Sequence, residues 1–109
     1  MTEKEDKTFG FHHKNSNGDP SGGCSWGPGF TISWQSCPKK MDGVERLQNG
    51  ADIEDVIDAC IGRLEVFQHS RFESEYNRLA IEHLMEARNQ LFNRTKDRES
   101  RGVEGKYEV

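Results

Sequence analysis

Ile53-Glu54-Asp55-Val56-Ile57-Asp58-Ala59-Cys60-Ile61-Gly62-Arg63-Leu64-Glu65-Val66-Phe67 places Ile53, Val56, Ile57, Cys60, Ile61, Leu64 and Phe67 at three- and four-residue steps. That period is the signature of an amphipathic helix with one apolar stripe. Asp52 stands where an N-cap belongs. Glu54 and Asp55 occupy the first turn, where the helix dipole favours acidic groups, and the pattern runs to about His69. Gln68 to Glu73 is too short for anything but a reversal, so the next helix returns antiparallel. Ser74 is its expected N-cap. Ala80, Ile81, Leu84, Ala87, Leu91 and Thr95 form its buried stripe, and Gly102 after Arg101 stops it. The C-terminal half is a helical hairpin followed by a short tail, Val103 to Val109.

Upstream, Phe30-Thr31-Ile32-Ser33-Trp34-Gln35 alternates apolar and polar residues and reads as a half-buried strand. A lone strand is unstable, so it must pair with another segment or with its counterpart in a second chain. Ser36 to Ala51 reads as a loop, opened by Pro38 and closed by a turn at Asn49-Gly50. Residues 1–28 read as a flexible tail rich in Gly, Ser and Asn, with too little to bury to fold alone. The expected organisation is thus a 1–28 tail and a single ligand-binding domain over 29–109. Its fold class is α+β, an N-terminal antiparallel β-strand region packed on a C-terminal antiparallel helical hairpin, assembled as an oligomer.

The chain of 109 residues is 32% hydrophobic and 31% charged, a thin supply of core-forming side chains: such a chain either leaves a segment disordered or hides apolar surface against a second copy of itself. The net charge of −4 argues against a nucleic-acid polymer as partner, because such binders depend on phosphate attraction. A local basic patch on an acidic protein suits a small anion better. No apolar run reaches ~18 residues and no signal-peptide core opens the chain, so no membrane association is expected. Cys24, Cys37 and Cys60 are odd in number and form no CxxC, which fits free thiols in a reducing cytoplasm. His12, His13, Cys24 and Cys37 match no short zinc-knuckle spacing, so no metal is expected. Gly22-Gly23 and Gly27-Pro28-Gly29 precede no Gly-Lys-Ser/Thr and make no phosphate loop.

Arg94 and Arg98 stand four apart near the end of the second helix, one turn above the other. Like charges at that spacing cost a few tenths of a kcal/mol unless an anion lies between them. The plain alternative is a solvated helix end in which Asp97 softens the repulsion and cations suit the C-terminal dipole.

Several blocks together resemble one family. They are Ile32-Ser33-Trp34-Gln35-Ser36-Cys37-Pro38, Asn49-Gly50, Glu54-Asp55-Val56-Ile57, Arg63-Leu64-Glu65-Val66-Phe67-Gln68 and Asn77 with Ala80-Ile81-Glu82-His83-Leu84. The most specific is Arg94-Thr95-Lys96-Asp97-Arg98-Glu99-Ser100-Arg101-Gly102-Val103-Glu104-Gly105. From about Gly29 to Val109 the chain resembles the phage-encoded Thoeris anti-defence proteins of the first type. It departs from them at Cys37, where Gly is common, and at Ser74-Glu75-Tyr76 in place of Cys-Arg-Glu.

The resemblance implies a non-enzymatic sponge, without cofactor, in the cytoplasm of the infected bacterium. Such proteins sequester cyclic nucleotide immune signals, chiefly glycocyclic ADP-ribose made by TIR-domain enzymes. Some members also hold cyclic di- or trinucleotides at a separate site of a hexamer. It further implies that Phe67 stacks on a base, Asn77 hydrogen-bonds the ligand, and Arg94 and Arg98 grip the pyrophosphate and riboses.

Geometry constrains that implication. Asn77 and Arg94 are seventeen residues apart on one helix, which is about 25 Å along its axis. One small ring cannot bridge them within a chain. Two chains packed with antiparallel second helices would bring Phe67 and Asn77 of one beside Arg94 and Arg98 of the other, giving a homodimer with two pockets. No Ser-His-Asp, Cys-His or paired-carboxylate arrangement accompanies these residues, so capture without turnover is expected. The competing class is a helical-hairpin protein that inhibits a host protein by direct contact, for which the arginine pair would be dispensable.

Overall fold

The structure, a computed structural model, describes residues 9–36, 40–41, 44–45 and 48–102. Among them are an antiparallel sheet followed by two helices, the α+β class expected. The contacts divide the chain into two compact units, residues 1–52 and 53–109.

In the first unit, β1 (Phe9–Lys14), β2 (Pro20–Gly27) and β3 (Phe30–Trp34) form a sheet in that order. Residues 9–27 are therefore not a tail: they supply two of its three strands. Their Gly and Ser content hid this from a hydrophobic-period reading, because small residues serve close backbone approach as well as flexibility. The turn between β1 and β2 is set by Asn15, whose Oδ1 accepts from the backbone N–H of Asn17 at 2.9 Å and of Asp19 at 3.0 Å.

The register pairs Phe9 with Trp26 and Phe11 with Cys24 across β1–β2. Opposed residues share a face, so Phe9, Phe11 and Trp26 gather on one side. Their rings lie 6.2 Å (Phe9–Trp26) and 6.0 Å (Phe11–Trp26) apart. On β3, Ile32 and Trp34 are half-buried while Thr31 and Ser33 are exposed, the alternation read from the sequence; Phe30, at the strand's start, is exposed. Trp34 Nε1 donates to Ser25 Oγ at 2.8 Å, the partner a half-buried indole needs. The outer edge of β3 is closed by Ala51: Gln35 N donates to Ala51 O at 3.0 Å and Ala51 N to Ser33 O at 2.7 Å.

The segment read as a loop also holds β4 (Lys40–Met41) and β5 (Val44–Glu45), a short antiparallel ladder. Its closing turn is tied by side chains. Gln35 Oε1 accepts from the backbone N–H of Asn49 and Gly50 at 2.9 and 3.0 Å, and Asn49 Oδ1 accepts from Ser36 N at 2.9 Å. Cys37 and Pro38, the 1–8 part of the expected tail, and the signature's Val103-Glu104-Gly105 end lie outside the described residues.

The second unit is the hairpin, α1 (Ile53–Gln68) and α2 (Glu75–Ser100). Ser74 caps α2 as expected, its Oγ accepting from Asn77 N at 3.0 Å. Gly102 ends it with φ +73°, its N–H bonded to Glu99 O at 3.0 Å. Between the helices Ile61, 8% exposed, is the one buried hydrophobic among the described residues. Ile57, Leu64, Ile81, Leu84 and Leu91 are half-buried along the hairpin, as is Thr95 near the end of α2. The expected stripes are wider than the contact: Ile53, Cys60, Phe67 and Ala87 are exposed, and Arg88 takes a half-buried place instead. Two helices meet along a single seam, which covers only a narrow row of each.

Candidate functional site

The four residues singled out from the sequence fall at two ends of the hairpin. At the turn end, Gln68 clasps the start of α2: its Oε1 accepts from Ser74 N at 2.9 Å and its Nε2 donates to Ser74 O at 3.1 Å. Asn77 joins this clasp. Its Nδ2 donates to Gln68 Oε1 at 3.0 Å and to Phe72 O at 3.2 Å. The amide N–H groups of Asn77 thus fasten the turn, leaving Oδ1 as the atom suited to accept from a ligand.

Phe67, two residues before that turn, is 39% exposed. It stands off the helix seam, so the stripe position its spacing suggested is not a core position. The guanidinium of Arg63 lies over its ring, 5.3 Å from the centroid. Arg63 was not singled out from the sequence as a site residue. Its spacing four before an aromatic was the available signal.

Beside the turn, Gln68, Glu73, Ser74, Glu75 and Arg78 line an open hollow of about 350 Å³. Arg78 is held between Glu75 and Glu82 at three- and four-residue spacing. The Arg78 hydrogen bond holds the Glu75 carboxyl below its usual range, although desolvation opposes the shift. With its cation already paired and two carboxylates on its wall, the hollow does not suit phosphate.

At the far end, Arg94 is exposed and Arg98 half-buried on the last turns of α2. Asp97 turns toward the C-terminus, pairing with Arg101 Nε at 3.0 Å. The register explains what is special about this end. Gln68 meets Asn77 and Asp58 meets Arg88. Continuing five residues back along α1 brings Ile53 level with about Asn93. Arg94 to Ser100 therefore extends past the start of α1, where no residue of that helix accompanies it.

The structure brings Phe67 and Asn77 to one end and Arg94 and Arg98 to the other, and it does not bring the pairs together. Unbroken helix from Glu75 to Ser100 keeps Asn77 and Arg94 about 25 Å apart. Tyr76, Ala80, His83, Ala87 and Arg94 follow one another by four, three, four and seven residues, so they share one stripe of α2. That stripe is exposed apart from Ala80, and Tyr76 is 84% exposed. Among the described residues no group of three or more His, Cys, Asp or Glu gathers to hold a metal ion, and no helix is long and apolar enough to cross a membrane. His12 and Cys24 sit at adjacent ladder pairs, His12 with Gly23 and Cys24 with Phe11, and so point to opposite faces of the sheet.

No protein-family model matches the chain. It is 42% identical over 78 residues to Thoeris anti-defense 1 of Bacillus phage SBSphiJ7, a stretch that covers 72% of the chain and 52% of that relative. The chain spans about half the length of the curated relative it matches. Identity at this level over so much of the sequence means a shared fold, and the chain belongs to the Thoeris anti-defence family.

Proposed function

We propose that the protein counters Thoeris immunity in the cytoplasm of an infected bacterium by binding and sequestering the cyclic ADP-ribose-type signal, glycocyclic ADP-ribose first, without degrading it. Cyclic di- and trinucleotides are a second ligand class. The observation that carries this reading is the division of the site: an exposed aromatic ring with a hydrogen-bond acceptor at one end of the hairpin, and a guanidinium pair at the other. Each end supplies what the other lacks. A purine stacks on an aromatic face with about 1–3 kcal/mol of benefit. Fork-shaped guanidinium donors match diphosphate oxygens and keep their charge at any working pH.

A single chain cannot join these ends, so the working site is shared. A second chain with α2 antiparallel, crossing near Ala87, sets Asn77 of one copy beside Arg98 of the other and generates two equivalent pockets. The small side chains of Ala80 and Ala87 leave room for close approach along that stripe. The exposed apolar side chains of Ile53 and Tyr76 are the surface a partner would cover. Further association of dimers to a hexamer belongs to the same reading.

The test is a thermal-shift and calorimetric screen of the full chain against cyclic ADP-ribose isomers, cyclic dinucleotides and cyclic trinucleotides. The ligand is then released by heat denaturation and analysed. Tight binding of a cyclic ADP-ribose isomer recovered intact is the expected result. Recovery of linear ADP-ribose would make the protein an enzyme, and failure to bind any member of the panel would remove the sponge reading.

A further inference from the structure

Arg63 stands one helical turn before Phe67 on α1, its guanidinium carbon 5.3 Å from the ring centroid, within the ~6 Å reach of a cation–π contact. Both residues are exposed, so the pair sits on the surface and not in the hairpin seam. The positions three and four residues to either side of Arg63 hold Ala59, Cys60, Val66 and Phe67. No carboxylate of its own helix is therefore spaced to capture it. This distinguishes Arg63 from Arg78 and Arg88, whose guanidiniums are held by Glu75 and Glu82 and by Asp58.

We infer that Arg63 is the positioning residue of the Phe67 stacking surface: it holds the ring in place and leaves the opposite ring face to the planar base of a nucleotide ligand. The inference rests on the sponge reading, which makes Phe67 the base-stacking residue. An exposed phenylalanine rotates freely, and a ligand that stacks on it must immobilise it. A guanidinium already lying on one face does that beforehand.

Arg63→Ala, Arg63→Lys, Phe67→Ala and the Arg63→Ala/Phe67→Ala double variant of the full chain, titrated calorimetrically with glycocyclic ADP-ribose, test this. Arg63→Ala should weaken binding about three- to tenfold, the range of an exposed cation–π contact plus a lost preorganised ring, with an unchanged melting temperature. Arg63→Lys, which keeps a cation over the ring, should recover most of the loss. The double variant should bind no more weakly than Phe67→Ala alone, since Arg63 acts through the ring. Wild-type affinity in Arg63→Ala beside a strong loss in Phe67→Ala would overturn this inference alone. Additive losses would also overturn it, by making Arg63 a direct ligand contact. Wild-type affinity in Phe67→Ala would overturn this inference and leave the sponge reading standing with its base site elsewhere; no binding by the unaltered protein would remove both.

Discussion

Arg88 Nη1 on α2 donates to Asp58 Oδ1 on α1 at 2.6 Å, and this contact together with the Gln68–Asn77 bond fixes the register of the hairpin. Arg88 is half-buried with its Nε unpartnered, so part of its polarity is unsatisfied where Leu84 and Leu91 flank it. Arg88→Met should keep or raise the melting temperature, because an apolar side chain of similar length fills the seam without the desolvation cost. Asp58→Ala should lower stability by about 1 kcal/mol, since it strands the guanidinium. Thermal melts followed by circular dichroism check both; a large loss in Arg88→Met would mean the ion pair is the main tie between the helices.

Arg94→Ala/Arg98→Ala should leave helical content unchanged, because removing like charges four apart relieves repulsion. Affinity for glycocyclic ADP-ribose should fall about a hundredfold or more, since two charge-assisted hydrogen-bond donors are lost at about 1.5–3 kcal/mol each. Arg98→Lys separates two kinds of contact. It keeps the charge and loses the fork, so a bidentate phosphate grip weakens while a purely coulombic one survives. Wild-type affinity in the double variant would place the pocket elsewhere.

The protein in solution should be at least a dimer. One buried hydrophobic among the described residues is little core for two helices and a sheet, and the two halves of the candidate site need a second chain to meet. Light scattering at micromolar concentration should return a mass of at least twice 12.5 kDa. A monomer would sink the shared pocket.

Gly23→Ala should unpair β1 from β2. Gly23 has φ +136°, and a Cβ there would stand 2.3 Å from Phe11 O. The expected loss exceeds about 1 kcal/mol. It should appear as a change in the fluorescence of Trp26 and Trp34, the latter paired with Gly23, with the helical signal unchanged. An unaltered tryptophan spectrum would mean that β1 does not depend on this close approach.

The hairpin is legible in the amino-acid sequence alone. Apolar residues every three or four positions, Ser74 as a cap and Gly102 as a stop are local signals, and local hydrogen-bonding chemistry places them at the helix ends where they are found. So is the alternation of β3, because a strand's two faces are written at period two. Other features depend on contacts between segments distant in the chain. The partner of β3 is β2, whose Ser- and Gly-rich run carries no hydrophobic period, so only the ladder reveals it. Whether Phe67 lies in the seam or beside it depends on how wide a stripe α1 presents to α2, which is set by the crossing of two helices and not by spacing along one. The family resemblance implies that Asn77 hydrogen-bonds a ligand; that its N–H groups also close the turn through Gln68 and Phe72 is invisible in the sequence, because those partners are fixed only once the chain reverses. The extension of Arg94 and Arg98 beyond α1 follows from the unequal lengths of the two helices and from the register that Asp58 and Arg88 impose.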